Sequence, residues 1–126
     1  SYTISRSPDL KMATDMLKNA FRKHKNLEGL IMHSDQGWHY QHSMYQEMLK
    51  KHGIVQSMSR KGNCLDNAMM ENFFGLMKNE LLYVNDFKSI QEFEKELKKY
   101  IWWYNNKRIK LRLKGMSPVK YRTQAI

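Results

Sequence analysis

Two carboxylates and one ammonium are the groups here whose type and spacing could do chemistry. Asp35 sits near the end of Leu30-Ile31-Met32-His33-Ser34-Asp35-Gln36-Gly37, an apolar run that closes in a polar tip with a glycine. Such a run predicts a buried strand that delivers Asp35 at its C-terminal end, where open α/β sheets place their sites. Glu71 follows with 35 residues intervening, and Lys78 lies seven positions beyond it. Seven residues are nearly two helical turns, so Glu71 and Lys78 would stand on one face of a helix. A carboxylate and an ammonium facing one way, just after a basic loop, suit contact with a phosphate and its metal ion. A solvated Glu/Lys pair on an amphipathic helix fits the same spacing.

The elements that must position these groups can be read from local patterns. Gly53 to Glu80 reads as a strand, a loop and a helix. Ile54 and Val55 are β-branched after a glycine. Ser57 to Leu65 is rich in Ser, Gly, Asn and charge, and carries Arg60 and Lys61. Asp66 or Asn67 can cap the helix, whose apolar positions are Met69, Met70, Phe73, Phe74 and Met77. Upstream, Ser7-Pro8-Asp9 predicts a helix start with Ser7 at the cap and Pro8 in the first turn. Leu10, Ala13, Met16, Leu17, Ala20 and Phe21 form its stripe. Ser43 with Gln46 reads as a capping box for a helix that buries Met44, Tyr45, Met48 and Leu49 and ends at Gly53. Leu81 to Val84 predicts a short apolar segment against the core. Ser89 with Glu92 opens a long helix striped by Ile90, Phe93, Leu97, Tyr100, Ile101 and Tyr104, widened by Trp102 and Trp103. That aromatic face suits a core or a platform for stacked bases. Gly115 and Pro118 prevent the tail from being one helix. His33 and His39 flank Asp35 and suit either a metal cluster or ordinary hydrogen-bonded positions.

A length of 126 residues bounds the chain to one domain or part of one, and 41% hydrophobic content allows a core. No apolar run approaches the ~20 residues of a membrane span. The N-terminus lacks an apolar secretory region, and the single cysteine, Cys64, excludes an internal disulfide and fits a reducing compartment. The net charge of +10 is unevenly placed. All 12 acidic residues precede position 97, whereas nine of the 22 Lys/Arg lie after it. A basic C-terminal block favours a polyanion, most often nucleic acid; a membrane surface or a disordered tail are the other readings. Aromatic and apolar residues within the block argue against disorder.

Taken in order, HSDQG, then GI-QSMS-KGN-DNA--E, then Lys78, resemble the DDE transposases of bacterial insertion sequences, the OrfB type with a retroviral-integrase-like catalytic core. The match runs over nearly the whole chain, and YN--R----L-G-SP--Y at the end resembles the family's C-terminal segment. Many members carry a histidine near Lys110, and this departure leaves the role of that position open. The resemblance implies a ribonuclease-H-like α/β fold, here truncated and lacking the first three strands. Residues 1–84 would be the later part of the catalytic core, and 85–126 its C-terminal helix and basic tail. The family's first catalytic Asp lies on strand one. Asp9 and Asp15 fall in the first helix, so neither matches it.

By that resemblance Asp35 and Glu71 would be catalytic metal ligands for Mg²⁺ or Mn²⁺, two ions in the complete protein. The chemistry is DNA strand cleavage and transfer. Lys78, Arg60, Lys61 and Asn67 would contact DNA, with Lys107, Arg108, Lys110, Arg112 and Lys114 of the tail; Asn67 as a helix cap is an equal reading. Without the first Asp, this chain alone is expected to be inactive. A non-enzymatic DNA-binding or oligomerising fragment, or a related nuclease of the same fold, are the alternatives. The expected setting is the bacterial cytoplasm at the nucleoid, with DNA and a second copy of the chain as partners and no membrane.

Overall fold

Asp9, not Ser7, begins the first helix. Its Oδ1 accepts the Met12 N–H at 2.8 Å and caps α1 (Leu10–Lys23), and a carboxylate there also meets the positive end of the helix dipole. Pro8 therefore precedes the cap, where its carbonyl is free to accept a hydrogen bond from His39. The structure, a computed structural model, describes residues 1–62 and 68–124. The caps expected at Asp66 or Asn67, and Cys64, lie outside the described residues. The chain divides into two compact units, Ser1–Glu71 and Asn72–Ile126.

In the first unit α1 is followed by β1 (Ile31–Ser34), a short helical turn α2 (Trp38–Gln41), α3 (Ser43–Lys51) and β2 (Val55–Met58). The two strands pair in parallel, Ile31 opposite Val55 and Ser34 opposite Met58. A parallel pair needs a crossover connection, and α2 with α3 supplies it. Ser43 is the first residue of α3 rather than its cap; His42 takes that role, Nδ1 accepting the Met44 N–H at 3.2 Å. Gly53 ends the helix as expected. At φ +69 it occupies the left-handed region, and an added Cβ would lie 3.1 Å from the Glu28 side chain and 3.3 Å from its Cα. Ala13, Leu17, Leu27, Tyr45, Leu49 and Ile54 form the core, and Met32 packs on it from β1. The opposite face of the sheet is open, with Ile31 64% and Val55 55% exposed. The expected buried strand is thus covered on one face only, because α1 and α3 both contribute to the same core.

The second unit contains the end of α4 (Ala68–Met77), a π-helical turn Lys78–Leu82, α5 (Ile90–Asn106), a 3₁₀ turn Leu111–Leu113 and α6 (Pro118–Gln124). Ser89 caps α5 by accepting the Glu92 N–H at 3.1 Å, while the Glu92 carboxylate reaches one residue further back, to the Lys88 N–H. Leu81, Tyr100 and Tyr104 are buried among Phe73, Leu76, Met77, Phe87, Phe93 and Leu97. The aromatic stripe is therefore core at its two tyrosines. It does not extend to Trp102, which is 58% exposed, because that residue falls between the inward positions of Tyr100 and Tyr104. Of the expected apolar segment after Glu80, Leu81 is buried but Tyr83 and Val84 are exposed. The tail turns back through an antiparallel bridge between Lys110 and Met116. Ser117 then accepts the Lys120 N–H, and Pro118 opens α6, which packs on α5.

Leu17 is fully buried. Leu17→Ala is expected to lower unfolding free energy by about 2–5 kcal/mol, whereas Trp102→Ala should change it by less than about 1 kcal/mol. Urea unfolding of the two variants checks this, and equal effects would contradict the core assignment.

Candidate metal and nucleic-acid site

Asp35 leaves the C-terminal end of β1 as an exposed carboxylate. Its Oδ1 accepts the Gly37 N–H at 2.8 Å, so the side chain is folded back over its own turn. Gly37 makes that approach possible: a Cβ there would lie 3.0 Å from Asp35 Oδ1 and 3.3 Å from the Tyr40 ring. The turn is pinned on both sides, since Gln36 Nε2 donates to the Ser59 carbonyl at 3.1 Å and Gln41 Nε2 donates to the Gln36 carbonyl. Burial raises the Tyr40 phenol above its ordinary pKa, and the nearby Asp35 charge raises it further. The histidines are used locally. His33 Nδ1 pairs with Ser57 Oγ at 3.0 Å, and His39 Nε2 donates to the Pro8 carbonyl at 2.8 Å while stacking on Trp38.

Glu71 is exposed in the first turn of α4, where the helix dipole favours a negative charge. Among the described residues neither Asp35 nor Glu71 forms a salt bridge, and no three His, Cys, Asp or Glu side chains gather as a metal cluster. Both groups are hard oxygen donors, the type that Mg²⁺ and Mn²⁺ take alongside water. Arg60 and Lys61 are exposed just after Ser59, whose N–H bonds to the Ser34 carbonyl at 2.8 Å. Asn67 lies outside the described residues. Lys78 is exposed at the start of the π-helical turn, past the end of α4, so the α-helical spacing expected from Glu71 does not continue beyond it.

The five tail cations divide. Lys107, Arg112 and Lys114 are exposed. Arg108 turns inward onto Glu80, with Nη2 2.6 Å from Oε1 and Nε at 3.0 and 3.1 Å from the two oxygens. Tyr100 donates its hydroxyl to the same carboxylate at 3.3 Å. Burial, then the Glu80 charge, pushes the Tyr100 phenol up to about 12. Lys110 lies over the Tyr104 ring, 4.5 Å from its centroid, and donates to the Tyr104 hydroxyl. Sequence reasoning placed Tyr100 in the aromatic stripe but missed Glu80 as the partner of Tyr100 and Arg108. No local pattern marks Glu80, because its partner Arg108 lies 28 positions away.

Two family models, both described as integrase core domain, match residues 1–64 and 71–126. Over 124 residues the chain is 50% identical to a putative transposase for insertion sequence element IS150 of Escherichia coli K12, covering 98% of this chain and 44% of that protein. It is 49% identical to an uncharacterized transposase-like protein of Haemophilus influenzae, covering 100% of this chain and 58% of that protein. The chain thus spans about half the length of the relatives it matches. Among solved structures, the catalytic core domain of BIV integrase superposes with a TM-score of 0.65 at 19% identity, covering 94% of this chain and 75% of that one. That likeness establishes a ribonuclease-H-like fold. Parallel strands with a terminal acidic residue, the ordered motifs and the family matches agree: the chain belongs to the integrase core domain family, among the insertion-sequence transposases.

Proposed function

We propose that this chain supplies two of the metal ligands and part of the DNA-contacting surface of a transposase that cleaves DNA strands and transfers them to a target. The observation that carries this reading is the exposed Asp35 carboxylate, held by the Gly37 N–H at the end of a strand paired in parallel with β2. Family membership implies a divalent metal requirement. Asp35 and Glu71 are the residues that would hold Mg²⁺ or Mn²⁺, two ions when a third carboxylate completes the set. When bound, such ions activate the attacking oxygen and stabilise the leaving one. Gly37 orients Asp35 for this role. The exposed Lys78 places a point charge against a DNA phosphate, and Arg60 and Lys61, after β2, are phosphate contacts of the first unit. Lys107, Arg112 and Lys114 extend the phosphate contacts along the tail.

In a chain of the relatives' full length, Asp35→Asn and Glu71→Gln should each abolish metal-dependent strand transfer while the circular dichroism spectrum stays unchanged. Gly37→Ala, whose backbone at φ −53 and ψ 141 an alanine tolerates, should displace Asp35 and weaken Mn²⁺ binding by roughly 10–100-fold with little change in melting temperature. Near-normal transfer by either carboxylate variant would remove the assignment.

Phosphate contacts release counterions, so the logarithm of affinity falls with that of salt by about 0.9 per contact. Replacing Lys107, Arg112 and Lys114 together by glutamine should therefore flatten the slope for a duplex by roughly 2–3. An unchanged slope would show that these cations face something other than DNA.

Self-association is the second reading, favoured by one observation. Ile31 and Val55 are register partners on an open sheet face. A two-stranded sheet is marginal alone, and a second copy can cover the face with its own equivalent residues in a two-fold arrangement. Sedimentation equilibrium at micromolar concentration should report a dimer that Ile31→Lys dissociates. A monomer for the unaltered chain would refute it.

A further inference from the structure

We infer that Glu80 and Arg108 are positioning residues, whose forked ion pair sets how the π-helical turn Lys78–Leu82 presents Lys78 to a DNA phosphate. The inference deepens the proposed function and rests on the reading of Lys78 as a phosphate contact. Arg108 is one of the tail cations that sequence reasoning assigns to DNA. Its guanidinium instead meets both oxygens of Glu80, with Nη2 at 2.6 Å and Nε at 3.0 and 3.1 Å. A fork occupied by a carboxylate cannot also take a phosphate in that geometry, and the carboxylate charge would repel one. The two side chains are only 23% and 27% exposed, so salt screens the pair less than it screens the surface lysines. Tyr100 adds a third donor to Glu80, and the Arg108 guanidinium carbon lies 5.9 Å from the Tyr104 ring centroid.

What the pair holds is an uncommon piece of backbone. The carbonyl of Lys78 accepts the Tyr83 N–H at 2.9 Å, an i→i+5 bond. Turns of this kind are rare, and they frequently mark functional sites. Leu81, buried in the core, anchors one side of the turn and Glu80 the other. Relaxation to α-geometry would tighten the turn and rotate Lys78 relative to Leu81 around the helix axis. The ammonium would then leave the direction in which it now stands. Glu80, two residues from Lys78 and bonded to both α5 and the segment after it, is placed to prevent that shift.

Duplex binding by this chain, measured over a series of salt concentrations, separates positioning from direct contact. Lys78→Ala should flatten the slope by about 1. Glu80→Gln should flatten it equally, although removing a negative charge would by itself tighten binding to DNA. Arg108→Lys should do the same, because it keeps the charge and loses the fork. In the double variant Lys78→Ala/Glu80→Gln the losses should not add. If Lys78→Ala flattens the slope but Glu80→Gln strengthens binding or leaves it unchanged, the positioning role is refuted and the Lys78 contact stands. Fully additive losses also refute it, since they would mean general destabilisation. If Lys78→Ala changes nothing, the phosphate reading of Lys78 fails, and the role proposed for the pair fails with it. Should Glu80→Gln fail to fold, Arg108→Lys decides by the same criteria.

Discussion

The parallel pairing of β1 with β2 is the constraint on which the first unit depends. Each strand has only four residues, and the pairing continues past both ends through the bonds from Val55 N–H to the Leu30 carbonyl and from Ser59 N–H to the Ser34 carbonyl. Side chains alternate between faces, so a slip of one residue would turn Met32 out of the core and Ile31 into it. The same slip would move Ser59, whose carbonyl holds Gln36 beside Asp35. Packing by α1 and α3 fixes the register, and the register places both the Asp35 turn and the basic loop that begins at Arg60.

Within the second unit, aromatic packing and an ion pair divide the work. Phe73 meets Tyr104 edge to face at 4.9 Å, and Tyr100 is tilted against Trp103 at 5.7 Å. These contacts bury the tyrosine rings while their hydroxyls reach Glu80 and accept from Lys110. A buried tyrosine needs such partners, because an unpaired hydroxyl in an apolar site is costly. Of the charged groups that answer this need, Glu80 precedes the tail and Lys110 comes from the basic tail. Part of its positive charge is therefore internal wiring, and net charge overstates the surface offered to a polyanion.

The groups proposed to act on metal and DNA sit where local structure exposes them. Asp35 is presented by a tight turn, Glu71 by the first turn of a helix, and Lys78 by a turn that departs from α-geometry. None of the three is neutralised by a salt bridge among the described residues. An exposed, unpaired charge keeps its hydration in the free protein and can exchange it for a metal ion or a phosphate. Arg108 has already made that exchange with Glu80.

The sequence by itself determined the element types, because apolar period and turn chemistry are local. The strand before Asp35, the stripe of α1, the stop at Gly53 and the break at Gly115 and Pro118 were all legible, as were the motifs that mark the family. Caps were less so: Ser7 and Ser43 resembled caps, but Asp9 and His42 took those roles, since several neighbouring polar side chains can accept from the free N–H groups of a first turn. Only the tertiary structure decided which charges are free. Arg108 and Arg112 look alike in a basic run, and what separates them is Glu80, 28 positions from Arg108 and brought alongside by the packing of Leu81 against Tyr100 and Tyr104. The open sheet face at Ile31 and Val55 and the π-helical turn at Lys78 likewise follow from packing between distant segments, which no local pattern encodes.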